Sequence, residues 1–480
     1  MKLNIKTLIL LVAASTSSVA NSAPQQILPD GYAIETIETP PKTEMHIAGL
    51  DTAKNGDVYV ATRFGDVWKY SQSAWSKFAE GLHEPAGLLC ENDGSILVTQ
   101  KPELTRLVDL DNDGIADDYI NVANDWKFHN NYHEFHFGPV KDKYGNYFGT
   151  LNLSHGDPDA FKLKSNMGSS GGYRGWVYKV TSQGEFIPYA SGLRSPAGLG
   201  LNPQGELFYT DNQGDWVGTS KLHLIEEGKF YGHPISLIEH PDYGPDKVRA
   251  MTAAEFDAIR EQPNVLFPHQ EISNSPGNPD WDVSEGKFGP FKGQMFFGDQ
   301  SKANIFRVML DKVQGKYQGA VIEFVSGMQS GNIRVDFDNK GQLWVGQTAR
   351  GWSSAGSKPF GLQKIVWDGT NPFELLDMKL TKTGFKLNFT EALDVGSVNV
   401  NNIKVREWNY LYHQTYGSPK VNEKSLNISD LTLSKDKKSI EFSIPLTADK
   451  VVMVDFTGLT SQTSRGSAFT KVYYTLNNLK

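Results

Sequence analysis

Hydrophobic and polar positions along the chain repeat in a short unit. A polar turn carrying glycine leads into four to six residues of strand-forming, mostly apolar character. The unit reads Asn55-Gly56-Asp57-Val58-Tyr59-Val60, then Asp93-Gly94-Ser95-Ile96-Leu97-Val98, then Tyr144-Gly145-Asn146-Tyr147-Phe148. It returns as Gln204-Gly205-Glu206-Leu207-Phe208-Tyr209, Lys292-Gly293-Gln294-Met295-Phe296-Phe297 and Lys340-Gly341-Gln342-Leu343-Trp344-Val345. Each copy predicts a hairpin turn feeding a β-strand. Further strands follow several copies, as in Gly65 to Tyr70, Arg174 to Val180 and Ile305 to Leu310. Six such units, at a spacing of roughly 40–60 residues, predict an all-β, six-bladed β-propeller over residues 24–370.

Two intervals break the rhythm. The longer, between Gly205 and Gly293, contains the one helical pattern, Thr252 to Glu261, with Thr252 and Glu255 at capping-box spacing. The other, His155 to Gly172, is rich in Ser and Gly and predicts a loop on one face, where propellers carry function. After Asp368-Gly369 the pattern changes to clean alternation, in Phe385 to Phe389, Ser439 to Ile444 and Val451 to Phe456. Residues 371–480 therefore predict a small immunoglobulin-like β-sandwich.

The start of the chain stands apart. Lys2 and Lys6 precede an apolar run, Leu8 to Ala14, and then Ser18-Val19-Ala20. This predicts a secretory signal peptide over residues 1–23 and a periplasmic or secreted protein. The apolar run is too short to span a membrane.

Composition narrows the function classes. One cysteine, Cys90, excludes an intramolecular disulfide framework, an iron–sulfur cluster and a covalently bound c-type haem. Its apolar neighbours, Gly87-Leu88-Leu89, predict a buried thiol. A net charge of −8 argues against nucleic acid or an anionic membrane as the main partner. Forty-six glycines serve the many turns that six blades need.

Candidate chemistry sits in a few places. Asp109-Leu110-Asp111-Asn112-Asp113-Gly114 runs on to Asp117, placing oxygen ligands at alternate positions around a turn glycine. That is a calcium-loop pattern, with Asp109, Asp111, Asp113 and Asp117 as ligands. Ile120 stands where an EF-hand has its bidentate glutamate, so no sensor is implied. The alternative is a solvated acidic turn. His129, His133 and His136 lie close together, and an imidazole suits a general base because it titrates near working pH. Polar clusters follow strands at Asp211 to Trp216, Asp299 to Lys302 and Gln347 to Trp352. They suit either a sugar or cofactor at the mouth, or hydrogen bonding between blades.

The segment Asn131-Tyr132-His133-Glu134-Phe135-His136-Phe137-Gly138-Pro139 resembles the one that carries the catalytic histidine in soluble quinoprotein glucose dehydrogenases. The likeness continues through Gly192-Leu193-Arg194-Ser195-Pro196-Ala197-Gly198, Thr210-Asp211-Asn212-Gln213-Gly214, Leu222 to Ile225 and Gly228 to Pro234. The chain thus resembles the glucose/sorbosone dehydrogenase superfamily of six-bladed propellers over residues 30–370. The resemblance implies a hydride transfer from a sugar or polyol hydroxyl to pyrroloquinoline quinone (PQQ), assisted by Ca²⁺. It implies His133 as base and Arg194 at the quinone. Asn212, Gln213, Gly214, Asp299, Lys302 and Arg350 are then the cofactor-binding candidates. Two departures stand out: Ser195 replaces an asparagine, and Asp215 replaces the proline of the calcium-holding turn. No Cys-x-x-Cys-His is present, so electrons would leave through a separate acceptor. The alternative function is a cofactor-free propeller that binds or cleaves carbohydrate.

Overall fold

The computed structural model describes residues 25–129, 131–156, 165–169 and 171–480. The expected signal peptide lies outside them, as does most of the serine- and glycine-rich loop. The described chain is mostly β, in many small antiparallel sheets.

Residues 32–367 supply six four-stranded units, five of them separate sheets and one the half of an eight-stranded sheet. The first comprises Ile47–Thr52, Val58–Thr62, Val67–Ser71 and Ala74–Ala79. The second comprises Gly87–Cys90, Ile96–Gln100, Glu103–Val108 and Asp118–Ala123. The third is His136–Lys141, Tyr147–Leu151, Trp176–Val180 and Phe186–Ser191; the fourth is Pro196–Leu201, Leu207–Asp211, Ser220–Ile225 and Val265–Phe267. The fifth begins Pro276–Trp281, Met295–Asp299, Asn304–Val313 and Lys316–Val325. The sixth is Asn332–Phe337, Leu343–Thr348 and Phe360–Trp367, completed by Tyr32–Ile37 from the start of the chain. The six repeated turn-and-strand units each supply the second strand of one sheet. Their turn glycines all have positive φ, from 77° at Gly293 to 90° at Gly56, which is why glycine recurs there.

The first strands of successive sheets touch in a closed ring, with the sixth returning to the first. Close approach at the axis depends on missing side chains. A Cβ on Gly87 would lie 1.4 Å from the Gly138 carbonyl oxygen, and one on Gly198 would lie 2.1 Å from Asn278 Cα. Ala48, Ala86, Phe137, Ala197 and Ile333 pack together beside these positions. In the sixth sheet the glycine position is taken by Arg334. Its guanidinium donates to the carbonyls of Ala197 at 2.6 Å, Ile333 at 2.7 Å and Ala86 at 2.7 Å, and lies 4.8 Å from the centre of the Phe137 ring. One cation therefore pins the second, fourth and sixth sheets together.

The helical pattern at Thr252 forms the helix Ala253–Ile259, with a complete capping box between Thr252 and Glu255. A second short helix, Gly244–Ala250, precedes it. Cys90 is half-buried, less enclosed than its apolar neighbours suggested, because its strand ends there; burial still pushes its thiol up.

The C-terminal residues build two sheets. One is Leu375–Leu380, Gly384–Phe389, Ser439–Ser443 and Ser429–Leu433. The other, Lys471–Leu476, Lys450–Asp455, Lys404–Asn409 and Val421–Leu426, continues the fifth ring sheet edge to edge, with Gly319 opposite Thr475 and Ile322 opposite Val472. The two outer strands of that ring sheet run to ten residues each, and their ends enter the C-terminal core. Met309, Val313, Ala320 and Ile322 pack there with Met378, Leu387, Phe442 and Val452. Arg307 adds a polar tie, donating to the carbonyls of Leu375 and Leu376 and to Gln294 Oε1.

Replacing Arg334 with Met keeps much of the volume but leaves the carbonyls of Ala86 and Ala197, on the second and fourth sheets, without their donor. We expect a loss of about 3 kcal/mol or more in urea unfolding. Wild-type stability in this variant would show that the axis does not depend on those bonds.

Candidate functional site

The second strands of all six sheets end on the same face of the ring, and the residue after each strand is placed equivalently. Arg63, Asn152, Asn212 and Gln300 hold this position in the first, third, fourth and fifth sheets, and all four line one cavity. The segments leading into the first strands add His133, Arg194, Ser195, Asn274 and Ser275. Ala197, Phe137 and Ile333 form the floor, directly over Arg334. The cavity measures about 340 Å³, which lies in the range of small-ligand sites.

Two aspartates at equivalent strand ends set this geometry. Asp211 accepts from the backbone N–H groups of Arg194 at 2.9 Å and Ser195 at 2.7 Å. Asp299 accepts from those of Asn274, Ser275, Ser301 and Lys302, and from the Ser273 hydroxyl. Asp299 therefore shapes the wall and does not face the cavity.

His133 is fully enclosed by protein at the cavity wall. Its Nδ1–H donates to the Leu153 carbonyl at 2.8 Å. That fixes the tautomer and leaves the Nε2 lone pair pointing to the Ser195 hydroxyl, 3.2 Å away. Burial, and then the charge of Arg194, lowers its pKa to about 3. His136 is also buried and neutral, but its nitrogens are engaged by the Gln100 carbonyl and the Tyr178 hydroxyl. His129 pairs with Glu134. Of the three clustered histidines, only His133 reaches the cavity.

Arg194 is not free. Its Nε lies 2.7 Å from Asp215 Oδ1, and Asp215 Oδ2 lies 3.1 Å from His233 Nε2. Burial pushes the Asp215 carboxyl up, but His233 and Arg194 outweigh it and hold it well below the ordinary value. The Gln213-Gly214 turn is also engaged. Gln213 Nε2 donates to the Gly218 carbonyl, and the Gly214 carbonyl accepts from the Gly417 N–H at 2.9 Å. Lys302 and Arg350 turn away from the cavity: Lys302 donates to the carbonyls of Gln270 and Glu271, and Arg350 to that of Arg63 while pairing with Glu84. Their backbones follow the expected strand ends, but nearer acceptors take the charged heads.

Sequence reasoning missed Arg63 and Asn152. The signal was present: both follow the second strand of a repeat, as Asn212 and Gln300 do. Tyr416, which also lines the cavity, gave no such signal, because it comes from the C-terminal residues. Away from this face, Asp109, Asp111 and Asp117 bring carboxylate oxygens within 4.8 Å of one another. Asp113 instead accepts from the Ile115 N–H.

The cationic groups of the lining are Arg63 and Arg194, and among the described lining residues none is a carboxylate. Arg63 Nε is buried without a hydrogen-bond partner among the described residues. A calcium ion at the Gln213-Gly214 turn fits poorly, since the Gly214 carbonyl already accepts from the N–H groups of Val217 and Gly417.

The His133 environment makes a measurable difference to stability. A histidine held neutral in the fold is protonated first in the unfolded chain. Relative to His133→Asn, the wild type should lose about 1.4 kcal/mol per pH unit as pH falls from about 6.5 toward 3. Parallel denaturation curves for the two proteins over that range would contradict this placement.

A sequence family described as a domain of unknown function (DUF7133) matches residues 72–259. No curated protein matches the chain in sequence. Solved structures resemble it across the ring. A Thermus thermophilus protein described as a putative oxidoreductase (glucose dehydrogenase) is 19% identical, with a TM-score of 0.52, covering 70% of this chain and 100% of its own. The holo PQQ domain of a Coprinopsis cinerea pyranose dehydrogenase is 11% identical, with a TM-score of 0.52, covering 72% and 98%. A Trichoderma reesei carbohydrate-active enzyme of family AA12 is 15% identical, with a TM-score of 0.53, covering 75% and 100%. The ring of sheets thus shares its fold with these three solved structures.

Proposed function

We propose that the protein is an exported oxidoreductase that removes hydride from the carbon bearing a sugar or polyol hydroxyl, built as a six-bladed propeller with an immunoglobulin-like module. The observation that carries this reading is His133: neutral, lining the central cavity, with one nitrogen fixed on the Leu153 carbonyl and the other facing the Ser195 hydroxyl. Such an imidazole can accept a hydroxyl proton at any pH where it is neutral. The Ser195 hydroxyl, 3.2 Å from Nε2, would either rotate aside or relay the proton. Asn152 and Asn212 flank Ser195 and orient the substrate hydroxyl. Arg63 and Arg194 would hold PQQ through its carboxylates. Bound there, the quinone supplies a two-electron acceptor. A separate electron acceptor would reoxidise it.

Calcium fits better in the Asp109 loop, where Asp109, Asp111 and Asp117 converge, than at the cavity. There it would brace the hairpin between Val108 and Asp118. Among the described residues, no helix is long and apolar enough to cross a membrane.

A second reading has its own observation. Asp215 neutralises Arg194, which lowers the positive charge available to a tricarboxylate. A cofactor-free carbohydrate-binding or carbohydrate-cleaving protein accommodates this pairing. Calorimetric titration with PQQ, with and without Ca²⁺, followed by a dye-linked assay over an aldose and polyol panel, separates the two. Micromolar binding and substrate-dependent dye reduction support the first; sugar binding without either supports the second. In the dehydrogenase, His133→Ala should lower kcat by about 10²- to 10⁴-fold while sugar binding persists. Asp111→Asn should abolish the rise in thermal midpoint that Ca²⁺ gives the wild type.

A further inference from the structure

Three aromatic side chains stand exposed around the opening of the His133 cavity. Tyr132 is 46% exposed, Trp352 48% and Tyr416 57%. Large rings left together in water mark a place that a ligand covers. Tyr132 and Trp352 belong to the ring, and their ring centres are 6.4 Å apart. Tyr416 comes from the C-terminal residues, about 200 positions beyond Asp215 in sequence, as residue numbering shows.

The segment bearing Tyr416 is held against the ring by backbone bonds. Asp215 and Tyr416 form an antiparallel bridge, the Gly417 N–H donates to the Gly214 carbonyl, and the Trp216 N–H donates to the His413 carbonyl at 2.9 Å. The Tyr412 hydroxyl donates to the Gly232 carbonyl at 2.6 Å. These ties fix the backbone of residue 416 while its side chain remains at the mouth. Arg194 lies over the Tyr416 ring at 5.3 Å.

The polar groups below the aromatic collar complete the picture. Asn152 is fully buried and lines the cavity, yet its Oδ1 accepts no hydrogen bond among the described residues. Asn212 Oδ1 is buried and unpaired in the same way. Buried acceptors without donors are costly unless a ligand supplies the donors. A saccharide offers hydroxyl donors for the amide oxygens and C–H faces for the rings. The terminal sugar unit would sit at these amide oxygens, with the collar at the level of the next.

We propose that residues 410–418 form a wall of the active site, and that Tyr416, with Trp352, binds the second sugar of a neutral oligosaccharide whose terminal unit lies at His133. This rests on the reading of the cavity as a saccharide site. The C-terminal module is then part of the specificity apparatus and not a spacer.

The test is titration of the full chain with glucose, maltose and maltotriose, and with the matching cello-oligosaccharides, in parallel with the dye-linked assay. The wild type should bind the trisaccharide of one series about tenfold more tightly than glucose. Tyr416→Ala and Trp352→Ala should each bring that ratio toward one, while Tyr416→Phe keeps it, because stacking needs the ring and not the hydroxyl. Thermal melts of the three variants check that the fold persists. Equal affinity for mono- and trisaccharides in the wild type, or an unchanged ratio in both alanine variants, overturns the proposal. Glucose oxidation without a chain-length preference would overturn it and leave the dehydrogenase reading standing. Collar-dependent oligosaccharide binding without oxidation would do the reverse. No binding of any of these sugars would overturn both.

Discussion

Six strands meeting around one axis leave almost no room for side chains, and the rest of the molecule follows from how that crowding is resolved. Glycine occupies the crossing point in five sheets, at Gly49, Gly87, Gly138, Gly198 and Gly277. In the sixth, Arg334 fills the remaining space and turns three inward carbonyls into acceptors. A charge buried this way survives because each sheet presents a backbone oxygen that would otherwise lack a partner. Burial lowers its pKa to about 9, still above neutrality, so it remains a cation. The floor of the cavity rests on this plug, and the strand ends above it converge because the ring is closed below.

Convergence gives the site its economy. Position by position, the same step of the repeat delivers a guanidinium from the first sheet and amides from the third, fourth and fifth. Asp211 then orients Arg194 and Ser195 through backbone N–H groups, which places Ser195 against His133 without engaging the side chains that face the ligand. Fixed main-chain donors cost no reorganisation when a substrate arrives. Asp215 works in the opposite sense. By pairing with Arg194 and His233 it consumes charge at the place where the resemblance puts a proline, and its backbone bridges to Tyr416 of the C-terminal segment.

Much of this was legible in the sequence, and the limits have physical reasons. The six turns announced themselves because positive φ demands glycine and the following strands alternate locally. His133 was singled out through its surrounding motif, and of the three clustered histidines it alone lines the cavity, because the other two find partners inside the protein. Arg63 and Asn152 were readable by carrying the repeat register to the first and third sheets. Lys302 and Arg350 misled because a long side chain near a strand end goes to the closest carbonyls. Three features had no local signature. Nothing in Tyr32–Ile37 says that it pairs with Phe360–Trp367, nothing in Lys471–Leu476 says that it extends a ring sheet, and nothing around Tyr416 says that it overlooks the cavity. Each depends on a partner far away in the chain.

The pairing of Tyr32 with Trp367 carries a consequence for how the molecule comes into being. An early strand and a late one share a ladder, so the sixth sheet stays incomplete until nearly the whole ring has been synthesised. Such non-local closure makes for slow folding and leaves edges unpaired meanwhile. A chain in that condition remains threadable, which suits the proposed export through a narrow translocation pore before the final strand locks into place.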